Sequence, residues 1–586
     1  MKQLLTGNEA IARGAWEAGL ACAFGYPGTP STEIIENLAR MPEVYSEWSP
    51  NEKVALEAAA GAAIAGSRSL CTMKLVGLNV AADPLMTLSY IGVNAGLVIV
   101  VADDPGQHSS QTEQDTRHYA RLAKVPVIEA SDAAECALYI GRAFDISERY
   151  RCPVIFRTTT CVSHSRFPVE LHERAERPAI PYVKDVQRFV PVPVWGRKLR
   201  AAIEERMARQ AAEAANDDEL NPVIRRGDDL GIVSFGVTAL HCLEIFPEAS
   251  LLKLGWSWPF PDRRIEAFAK SVKRLLIVEE GDPILEEHIR SLGIACTGKE
   301  VVPRCGELTP KAVAHIRARF LGEPDCVPEP VEMAKELPAR PPILCAGCPH
   351  RGLFYALTKF DVIVTGDIGC YTLGVFPPLS RTDTCLCMGA GFSMAHGISK
   401  TPEKRPVVGI VGDSTFFHSG ITALLNLVYN QGHATLVVVD NRTTAMTGHQ
   451  EHPGTGRTIS GETAPAASIE AIARACGMKR VTVCDPFDQE KLHGILAEEI
   501  AADEPSLIIS KAPCPLKIRR RTGPVRAIDA AKCRNCKACL KCGCPAIIVT
   551  SGRPSIDPDL CAGCRLCESV CKFGAIAPVS SDGQKS

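Results

Sequence analysis

The sequence of 586 residues contains no apolar run near the roughly 20 residues that a helix needs to cross a membrane. Its first residues, MKQLLTGNEAIARG, have no secretory hydrophobic region or cleavage site. A large excess of either charge is also missing: the net charge is −2, and the short run Arg519–Arg521 favours a solvated linker over a nucleic-acid site. We therefore expect a cytoplasmic enzyme that binds neither membranes nor nucleic acids.

Cysteine, in contrast, is abundant. The chain has 26 cysteines, and nine of them lie between Cys533 and Cys571. Disulfides are typical of small secreted domains, so metal ligation is the better interpretation in a large chain without a signal peptide. The length is also too great for a single hydrophobic core and predicts three to five domains, in line with roughly 100 to 200 residues for each.

Eight of the C-terminal cysteines follow one pattern twice. Each copy is C-x2-C-x2-C followed by one more cysteine, and the second copy begins 28 residues after the first. In such duplicated units, three closely spaced thiolates bind one 4Fe-4S cube and the remaining cysteine reaches the other cube. We therefore predict two clusters with these ligands: Cys533, Cys536, Cys539 and Cys571 for the first, and Cys561, Cys564, Cys567 and Cys544 for the second.

Two departures from the usual pattern leave alternatives open in this tail. Four residues separate Cys539 from Cys544, where three are usual, and Cys542 is one of the four. In the second copy, Lys572 follows Cys571 at a position where proline is usual. We interpret Cys542 as a buried thiol, with an exchange of ligand roles between Cys542 and Cys544 as the alternative. A zinc ribbon is the competing interpretation of the whole tail, but eight regularly spaced cysteines in a duplicated unit disfavour it.

A strand, a polar turn, a helix and a second strand follow one another in the middle of the chain. Pro406–Asp413 reads as a buried strand ending in Gly-Asp-Ser, Ser419–Gln431 reads as a helix, and Thr435–Asp440 is a second strand followed by Asn441. The arrangement resembles the thiamine diphosphate motif, whose usual form is Gly-Asp-Gly, a crossover, then Asn-Asn. An ordinary α/β crossover with polar turns is the alternative.

The resemblance to the thiamine motif implies a Mg²⁺ site at the carboxyl ends of parallel strands, where such sheets bind ligands. Hard oxygen atoms suit Mg²⁺. The carboxylate of Asp413, the amide of Asn441 and the main-chain carbonyl of Thr443 would provide them. Ser414 and Asp440 replace a usual glycine and asparagine, and neither is a metal ligand in the family pattern; we expect Ser414 to lie beside the cofactor.

Thiamine enzymes also need a carboxylate against N1′ of the aminopyrimidine ring, where it favours the tautomer that deprotonates the thiazolium C2. Glu52 is the candidate, because it opens a helix of small residues, Glu52–Gly61, that resembles the Glu-led helix of thiamine pyrimidine domains. Glu57 lies nearby but fits the register less well. A solvated helix face is the remaining interpretation.

Together, these features resemble the thiamine-dependent 2-oxoacid:ferredoxin oxidoreductases over essentially the whole chain, and among them the α subunits acting on indolepyruvate. The strings that carry the resemblance are Tyr26–Ser31 (YPGTPS), Gly412–Gly420 (GDSTFFHSG) and Asp440–Gly448 (DNRTTAMTG). In that superfamily the threonine of the first string binds the substrate carboxylate, which implies this role for Thr29. A proline-rich turn with a capping threonine is the alternative.

An arginine that holds the oxoacid in several relatives has no counterpart in the loop Asp103–Ser110, which carries acids instead. The loop ends an apolar strand and so lies on the same rim as Thr29. We expect His108 or Arg117 to take the arginine's place. A polar rim without a substrate contact explains the same residues.

The resemblance further implies a third cluster. In the related oxidoreductases, a C-x2-C pair, an Ile-Gly-Cys and a late Pro-Cys bind one 4Fe-4S cluster beside the thiazole ring. The matching positions, which define the proximal cysteine set, are Cys345, Cys348, Cys370 and Cys514. Buried thiols, as expected for Cys22, Cys71, Cys152 and Cys242, are the alternative.

The predicted fold class is a multidomain α/β protein: two thiamine-binding parallel-sheet domains, a smaller α/β domain between them, and a C-terminal α+β ferredoxin-like module. The predicted order is a pyrimidine-binding domain (1–190), a linker (191–228), a transketolase C-terminal-like domain (229–323), a linker (324–342), a diphosphate-binding domain (343–522) and a two-cluster ferredoxin domain (526–586).

The resemblance implies oxidative decarboxylation of aryl 2-oxoacids with CoA, the electrons passing through 4Fe-4S clusters to ferredoxin. It also implies a smaller companion subunit and a dimer of this chain within a heterotetramer. Two rivals stay open at this point. A non-oxidative aryl-pyruvate decarboxylase would not need the tail, and a polyferredoxin-like carrier with a degenerate thiamine fold would not need Glu52, Asp413 and Asn441.

Overall fold

The computed structural model describes residues 2–324 and 342–579, and the chain divides into two compact units, one on each side of that gap. The predicted linker 324–342 lies outside the described residues except for its two end residues, and so do residues 580–586 of the predicted ferredoxin domain. Within the described part of the chain, no helix is long and apolar enough to span a membrane.

In its described residues, the first unit contains two mainly parallel sheets, one antiparallel pair of strands and fourteen helices. Its strands are β1 (Lys2–Thr6), β2 (Cys22–Gly25), β3 (Tyr45–Trp48), β4 (Ser69–Lys74), β5 (Leu97–Asp103), β6 (Val127–Glu129), β7 (Val154–Thr159), β8 (Arg166–Glu170), β9 (Val223–Ile224), β10 (Leu230–Ser234), β11 (Ser250–Lys253), β12 (Trp256–Trp258) and β13 (Arg274–Val278). Its helices are α1 (Gly7–Glu17), α2 (Thr32–Leu38), α3 (Glu52–Ile64), α4 (Leu75–Val80), α5 (Ala82–Ile91), α6 (Thr116–Ala123), α7 (Ala133–Tyr150), α8 (Thr160–His164), α9 (Val186–Phe189), α10 (Pro193–Ala214), α11 (Gly236–Ile245), α12 (Asp262–Lys270), α13 (Ile284–Ser291) and α14 (Pro310–Leu321).

The larger sheet of this unit has the strand order β12-β6-β7-β5-β4-β2-β3, and all its pairings are parallel except that of β12 with β6. Its central strand β5, LVIVVAD, is buried along its whole length, which explains the unbroken apolar run. Strand β12 follows the smaller sheet's β11 in the chain yet joins the larger sheet. The two sheets are therefore interlocked within the unit.

The smaller sheet has the order β13-β10-β11-β9, with β9 antiparallel to β11. Strand β9 lies in the stretch predicted as the linker 191–228, and the 22-residue helix α10 occupies most of the rest of that stretch. Apolar side chains of the two interlocked sheets form separate cores.

A buried ion-pair network lies at the carboxyl ends of β5, β6 and β7. The Arg157 guanidinium on β7 donates to Asp103 on β5 and to Glu129 on β6, each at 2.7 Å. Thr116 adds hydrogen bonds to Asp103 from its backbone N–H and its hydroxyl, 3.1 and 2.5 Å in length. All four side chains are buried, so the arginine is what makes burial of the two carboxylates tolerable.

Replacing Arg157 with methionine removes this compensation and leaves two buried carboxylates without their cation. We expect Arg157→Met to lower the free energy of unfolding by about 3–5 kcal/mol, as is typical when one partner of a buried ion pair is removed. Urea denaturation of the full chain measures this loss. The matched control is Arg200→Met, whose exposed pair with Glu204 contributes about 0.5 kcal/mol or less. Equal losses in the two variants would contradict the prediction.

The second unit contains one parallel sheet and two small antiparallel pairs. Its strands are β14 (Ile363–Gly366), β15 (Thr384–Cys385), β16 (Val407–Gly412), β17 (Thr435–Asp440), β18 (Arg480–Cys484), β19 (Ser506–Lys511), β20 (Arg526–Ile528), β21 (Ile547–Thr550), β22 (Arg553–Ile556) and β23 (Ile576–Pro578). Its α-helices are α15 (Pro349–Leu357), α16 (Ala390–Ser399), α17 (Asp413–Thr415), α18 (Ile421–Tyr429), α19 (Ile469–Ala475), α20 (Gln489–Ile500), α21 (Pro515–Ile518) and α22 (Leu566–Val570). Cys370–Val375 and Ala538–Cys542 are 3₁₀ helices.

The parallel sheet of this unit has the order β15-β14-β16-β17-β19-β18, and all pairings are parallel. Strands β16 and β17 are neighbours, and each is buried along its length. After β16 the chain forms α17 and then a π-helical turn, Phe416–Gly420, before α18. A π-helical turn is rare and often marks a functional site.

The tail folds as two related halves. Strand β20 pairs with β23 and β21 pairs with β22, both antiparallel. The carbonyl of Asp529 accepts from the Cys533 N–H, and the carbonyl of Asp557 accepts from the Cys561 N–H in the same way. The 28-residue repeat in the sequence is therefore a repeat of hydrogen bonds as well.

Candidate thiamine site and iron–sulfur centres

The three predicted Mg²⁺ ligands form one hydrogen-bonded group at the ends of β16 and β17. The backbone N–H of Thr443 donates to the Asp413 carboxylate and to the Asn441 amide oxygen, each at 3.2 Å. Asp413 and Asn441 are buried. A carboxylate, an amide and a main-chain carbonyl are a donor set that fits Mg²⁺. Ser414, the next residue, accepts a 3.0 Å hydrogen bond from Thr444 and so lies in the same group.

Two buried histidines that the spacing could not reveal contact these ligands. His452 Nε2 lies 3.0 Å from the Asp413 carboxylate, and His350 Nε2 lies 3.3 Å from the Asn441 amide nitrogen. Burial would raise the pKa of Asp413, but the charge and hydrogen bond of His452 hold it below its ordinary value. Burial lowers the pKa of His350 to about 4, so its ring is neutral and can accept from Asn441.

A second group of residues that the sequence pattern did not predict follows β14. Asp367 is buried and accepts hydrogen bonds from the Tyr371 hydroxyl and, at 2.6 Å, from the Gly389 N–H. Burial raises the pKa of Asp367 to about 8. A Cβ added to Gly412 would lie 2.8 Å from the Tyr371 ring, so this ring packs directly on the end of β16, immediately before Asp413.

The structure brings the proximal cysteine set together from three loops. Cys345 and Cys348 precede α15, Cys370 begins the 3₁₀ helix after β14, and Cys514 precedes α21 after β19. Burial, together with the neighbouring thiols of Cys514 and Cys345, raises the pKa of Cys370 to about 11. Burial likewise raises the pKa of Cys348 to about 12, with contributions from Cys370 and Cys345. Each cysteine of the set therefore lies within electrostatic reach of others.

The proximal cysteine set adjoins the predicted Mg²⁺ ligands through Asn441. The Cys514 N–H donates to the Asn441 carbonyl at 3.0 Å. On the other side, His350, two residues after Cys348, contacts the Asn441 amide. Asn441 is thus contacted from two of the three cysteine loops, so a cluster on these thiolates would lie close to the predicted Mg²⁺ ligands.

The tail contains two cavities lined by cysteines. One is lined by Cys533, Cys536, Cys539 and Cys571. The other is lined by Cys544, Cys561, Cys564 and Cys567, and also by Cys542. The distant cysteine of each copy thus lies in the cavity of the other copy. Backbone N–H groups of Arg526 and Ala575 donate to the sulfurs of Cys561 and Cys571 at 3.5 and 3.3 Å, as is common for cluster thiolates.

Cys542 lines the second cavity but has a hydrogen bond of its own. Its thiol is buried and donates to the Cys539 carbonyl at 3.0 Å, and burial raises its pKa to about 12. These contacts favour a protonated thiol over a ligand, yet the choice between Cys542 and Cys544 stays a prediction.

The C-x2-C loop of the proximal set packs against the tail. A Cβ added to Gly347 would lie 2.5 Å from the Cβ of Ala562, the residue after Cys561, so only glycine permits this approach. Arg351 stabilises the same contact. Its guanidinium, which is buried, donates across the contact to the carbonyls of Cys542 and Gly543, and on its own side to those of Leu344 and Cys345.

Arg351 is therefore predicted to hold the tail against the rest of the second unit. In Arg351→Met the carbonyls lose their donor, and we expect tryptic cleavage at the exposed run Arg519–Arg521 to accelerate about 10-fold, the equivalent of one to two buried hydrogen bonds. Mass spectrometry of the released tail measures the rate. Arg553→Met, an exposed change in the tail itself, is the control, and equal rates in both variants would contradict the prediction.

Glu52 and Thr29 lie in the first unit. Glu52 is the first residue of α3, whose N-cap Asn51 accepts from the Val54 N–H at 2.9 Å, and it is buried. A Cβ added to Gly77 would lie 2.7 Å from the Glu52 carboxylate, so that glycine gives it room. Glu57 is exposed and pairs with Lys53, which favours Glu52 as the buried carboxylate. Thr29 is half-buried, and its carbonyl accepts from the Ser109 hydroxyl at 3.2 Å.

The two residues proposed from sequence to replace the missing arginine have different surroundings. Arg117 is buried and paired with Asp115 at 2.6 Å and with Glu279 at 3.4 Å, so its charge is already matched within the protein. His108 is exposed on the rim loop, and its Nε2 lies 3.6 Å from the Glu307 carboxylate.

Across residues 2–324 and 342–579, no group of three or more His, Cys, Asp or Glu side chains could hold a single metal ion. The predicted centres differ from such single-ion sites. The thiolates that bind a cubane are held apart by the cluster, and the predicted Mg²⁺ ligands include an amide and a main-chain carbonyl. All cysteines of the described residues are free thiols, which a set of cluster ligands requires.

Three family models match the chain. Residues 13–214 match the thiamine diphosphate-binding domain of pyruvate flavodoxin/ferredoxin oxidoreductases, residues 367–510 match the C-terminal TPP-binding domain of thiamine pyrophosphate enzymes, and residues 553–576 match a 4Fe-4S binding domain. These matches confirm the predicted fold class. They contain Thr29 and Glu52 in the first range and Asp413 and Asn441 in the second.

Curated relatives match nearly the whole chain. A protein of Methanothermobacter thermautotrophicus described as indolepyruvate oxidoreductase subunit IorA is 41% identical, over 98% of this chain and 97% of its own length. Proteins with the same description from Archaeoglobus fulgidus and Pyrococcus horikoshii are each 39% identical, over 99% of this chain and 98% and 97% of their own lengths.

Proposed function

Since the chain belongs to the family of the indolepyruvate oxidoreductase subunit IorA, we propose that it converts aryl 2-oxoacids, indolepyruvate among them, to aryl-acetyl-CoA. The balanced reaction is R–CO–COO⁻ + CoA–SH + 2 oxidised ferredoxin → R–CO–S–CoA + CO₂ + H⁺ + 2 reduced ferredoxin. The observation that supports the proposal is the contact of Asn441 with two of the three proximal cysteine loops. This contact would place the proposed thiamine site next to the proposed electron-accepting site within one unit.

The chain's own residues would divide the work as follows. Thiamine diphosphate, when bound, supplies the electron-sink chemistry that allows a 2-oxoacid to lose CO₂. Asp413, Asn441 and the Thr443 carbonyl would hold its Mg²⁺, and Glu52 would hold N1′ of its aminopyrimidine. Thr29 would orient the substrate carboxylate with its hydroxyl. His108, exposed on the same rim loop, is proposed as a further polar contact.

The cysteines would hold three 4Fe-4S clusters, which accept electrons singly. Close packing of Gly347 on Ala562 supports transfer between the proximal set and the tail. The relatives are described as subunits, and this supports a companion subunit for the present chain, with ferredoxin as acceptor. A dimer of this chain within a heterotetramer is part of the proposal.

The reaction class is tested by anaerobic reduction of methyl viologen. With the companion subunit present, we expect indolepyruvate and phenylpyruvate to drive reduction that depends on CoA and thiamine diphosphate. Glu52→Gln should lower kcat about 100-fold or more while thiamine diphosphate still binds, because a positioned proton-transfer partner contributes about 10²–10⁴-fold. Aldehyde formed without dye reduction would favour the non-oxidative decarboxylase instead.

The number of clusters is tested by iron and sulfide analysis under anaerobic conditions. We expect about twelve irons in the wild type, falling to about eight in Cys348→Ala, because each cubane contains four. Eight irons in both proteins would exclude the proximal cluster.

The same analysis distinguishes the two neighbouring cysteines of the tail. Cys544→Ala should lose about four irons, whereas its matched control Cys542→Ala should lose none, since each cubane contains four irons. The opposite pattern would show that these two cysteines exchange roles.

A further inference from the structure

Lys74 ends strand β4 and lies on the rim that carries Thr29 and Glu52. Its side chain packs along the backbone of the turn before Thr29, because a Cβ added to Gly28 would lie 3.1 Å from Lys74 Cγ. Its ammonium donates to the carbonyl of Ser109 at 3.1 Å, and the Ser109 hydroxyl in turn donates to the Thr29 carbonyl. Lys74 is thereby held beside the threonine proposed to bind the substrate carboxylate.

The charge of Lys74 has no close anionic partner in the described residues. Among the described residues, no carboxylate lies within 4.0 Å of its ammonium, which donates to the neutral carbonyl of Ser109. Two buried cations of the same unit differ from the half-buried Lys74, since Arg157 and Arg117 each have a carboxylate within 2.7 Å. An ammonium has three donors, so Lys74 has capacity for an anion.

The surroundings favour a bound anion. Burial lowers the pKa of Lys74, and the more distant charges of Asp104 and Glu52 raise it again. Burial would raise the pKa of Asp104, but hydrogen bonds from the Thr160 hydroxyl and the Ser109 N–H keep it below its ordinary value. A partly desolvated cation of this kind gains from a carboxylate that arrives with the ligand.

Resting on the proposed function, we infer that Lys74 is the cation that binds the carboxylate of the 2-oxoacid. It takes the place of the arginine that the loop Asp103–Ser110 lacks. Thr29 and Lys74 then hold the carboxylate from two sides, while Glu52 acts on the cofactor.

A different role for Lys74 must be distinguished from this one. Gly77, three residues after Lys74, lies against the Glu52 carboxylate, so Lys74 could also act only by positioning Glu52. That role would affect turnover for every substrate. It would not depend on whether the ligand has a carboxylate.

The test compares two non-reacting ligands of the thiamine-loaded complex, 3-phenyllactate and its neutral amide 3-phenyllactamide. Calorimetry gives the ratio of their affinities in wild type, Lys74→Met and Lys74→Arg. We expect the wild type to prefer the acid, Lys74→Met to lose about 30-fold or more of that preference, and Lys74→Arg to retain most of it, since truncating one partner of a buried charge pair has effects of this size. KM for phenylpyruvate should rise in Lys74→Met more than kcat falls.

The control is Lys270→Met, an exposed lysine of the same unit, which should leave the ratio unchanged. An equal ratio in wild type and Lys74→Met, or no preference in the wild type, would overturn the inference. The two proposals can also fail separately. If the wild type prefers the acid through Lys74 but reduces methyl viologen with no aryl 2-oxoacid, the proposed function is overturned, and Lys74 remains the carboxylate-binding cation for a different acid.

Discussion

The carboxyl ends of parallel strands are the constraint on which this molecule depends. Parallel strands aim their ends at one edge, and the short loops that follow are the places where an α/β sheet can hold a ligand. Asp413 and Asn441 follow β16 and β17, and Lys74 and Asp103 end β4 and β5. Buried strands such as β5 (LVIVVAD) therefore have two roles. Their apolar residues form the core, and their last residues form a rim of polar groups whose positions are fixed by the sheet.

Buried arginines keep that arrangement rigid, and each is satisfied in a different way. Arg157 is neutralised by two carboxylates at strand ends, whereas Arg351 is bound by carbonyl oxygens of two loops. The first joins neighbouring strands, and the second joins the thiamine domain to the ferredoxin module. Lys74 is the contrast, because its nearest partner is a neutral carbonyl. A fold that matches its structural cations leaves an unmatched one available to a ligand.

Spacing explains how much of this could be predicted from the sequence. Cysteine repeats and a strand ending in Gly-Asp-Ser have fixed intervals, so the tail cysteines, Asp413 and Asn441 could be proposed from the sequence, and the family matches confirm the fold around them. His350, His452 and Lys74 could not, because each acts as a single residue whose neighbours are distant in sequence. Strand β12 was equally unpredictable: a three-residue strand that leaves its own sheet has no local signal.

The crossed cysteines of the tail also bear on how the protein matures. Each cavity needs one cysteine from the other copy, so neither half of the module can enclose a cluster before the whole module has closed. The proximal set makes a stricter demand, because its cysteines come from three loops that are far apart in the sequence. Metal sites of this kind form together with the fold that assembles their ligands. On the predicted ligand sets, iron and sulfide would therefore enter the tail as the ferredoxin module closes, and the proximal site as the thiamine domain folds.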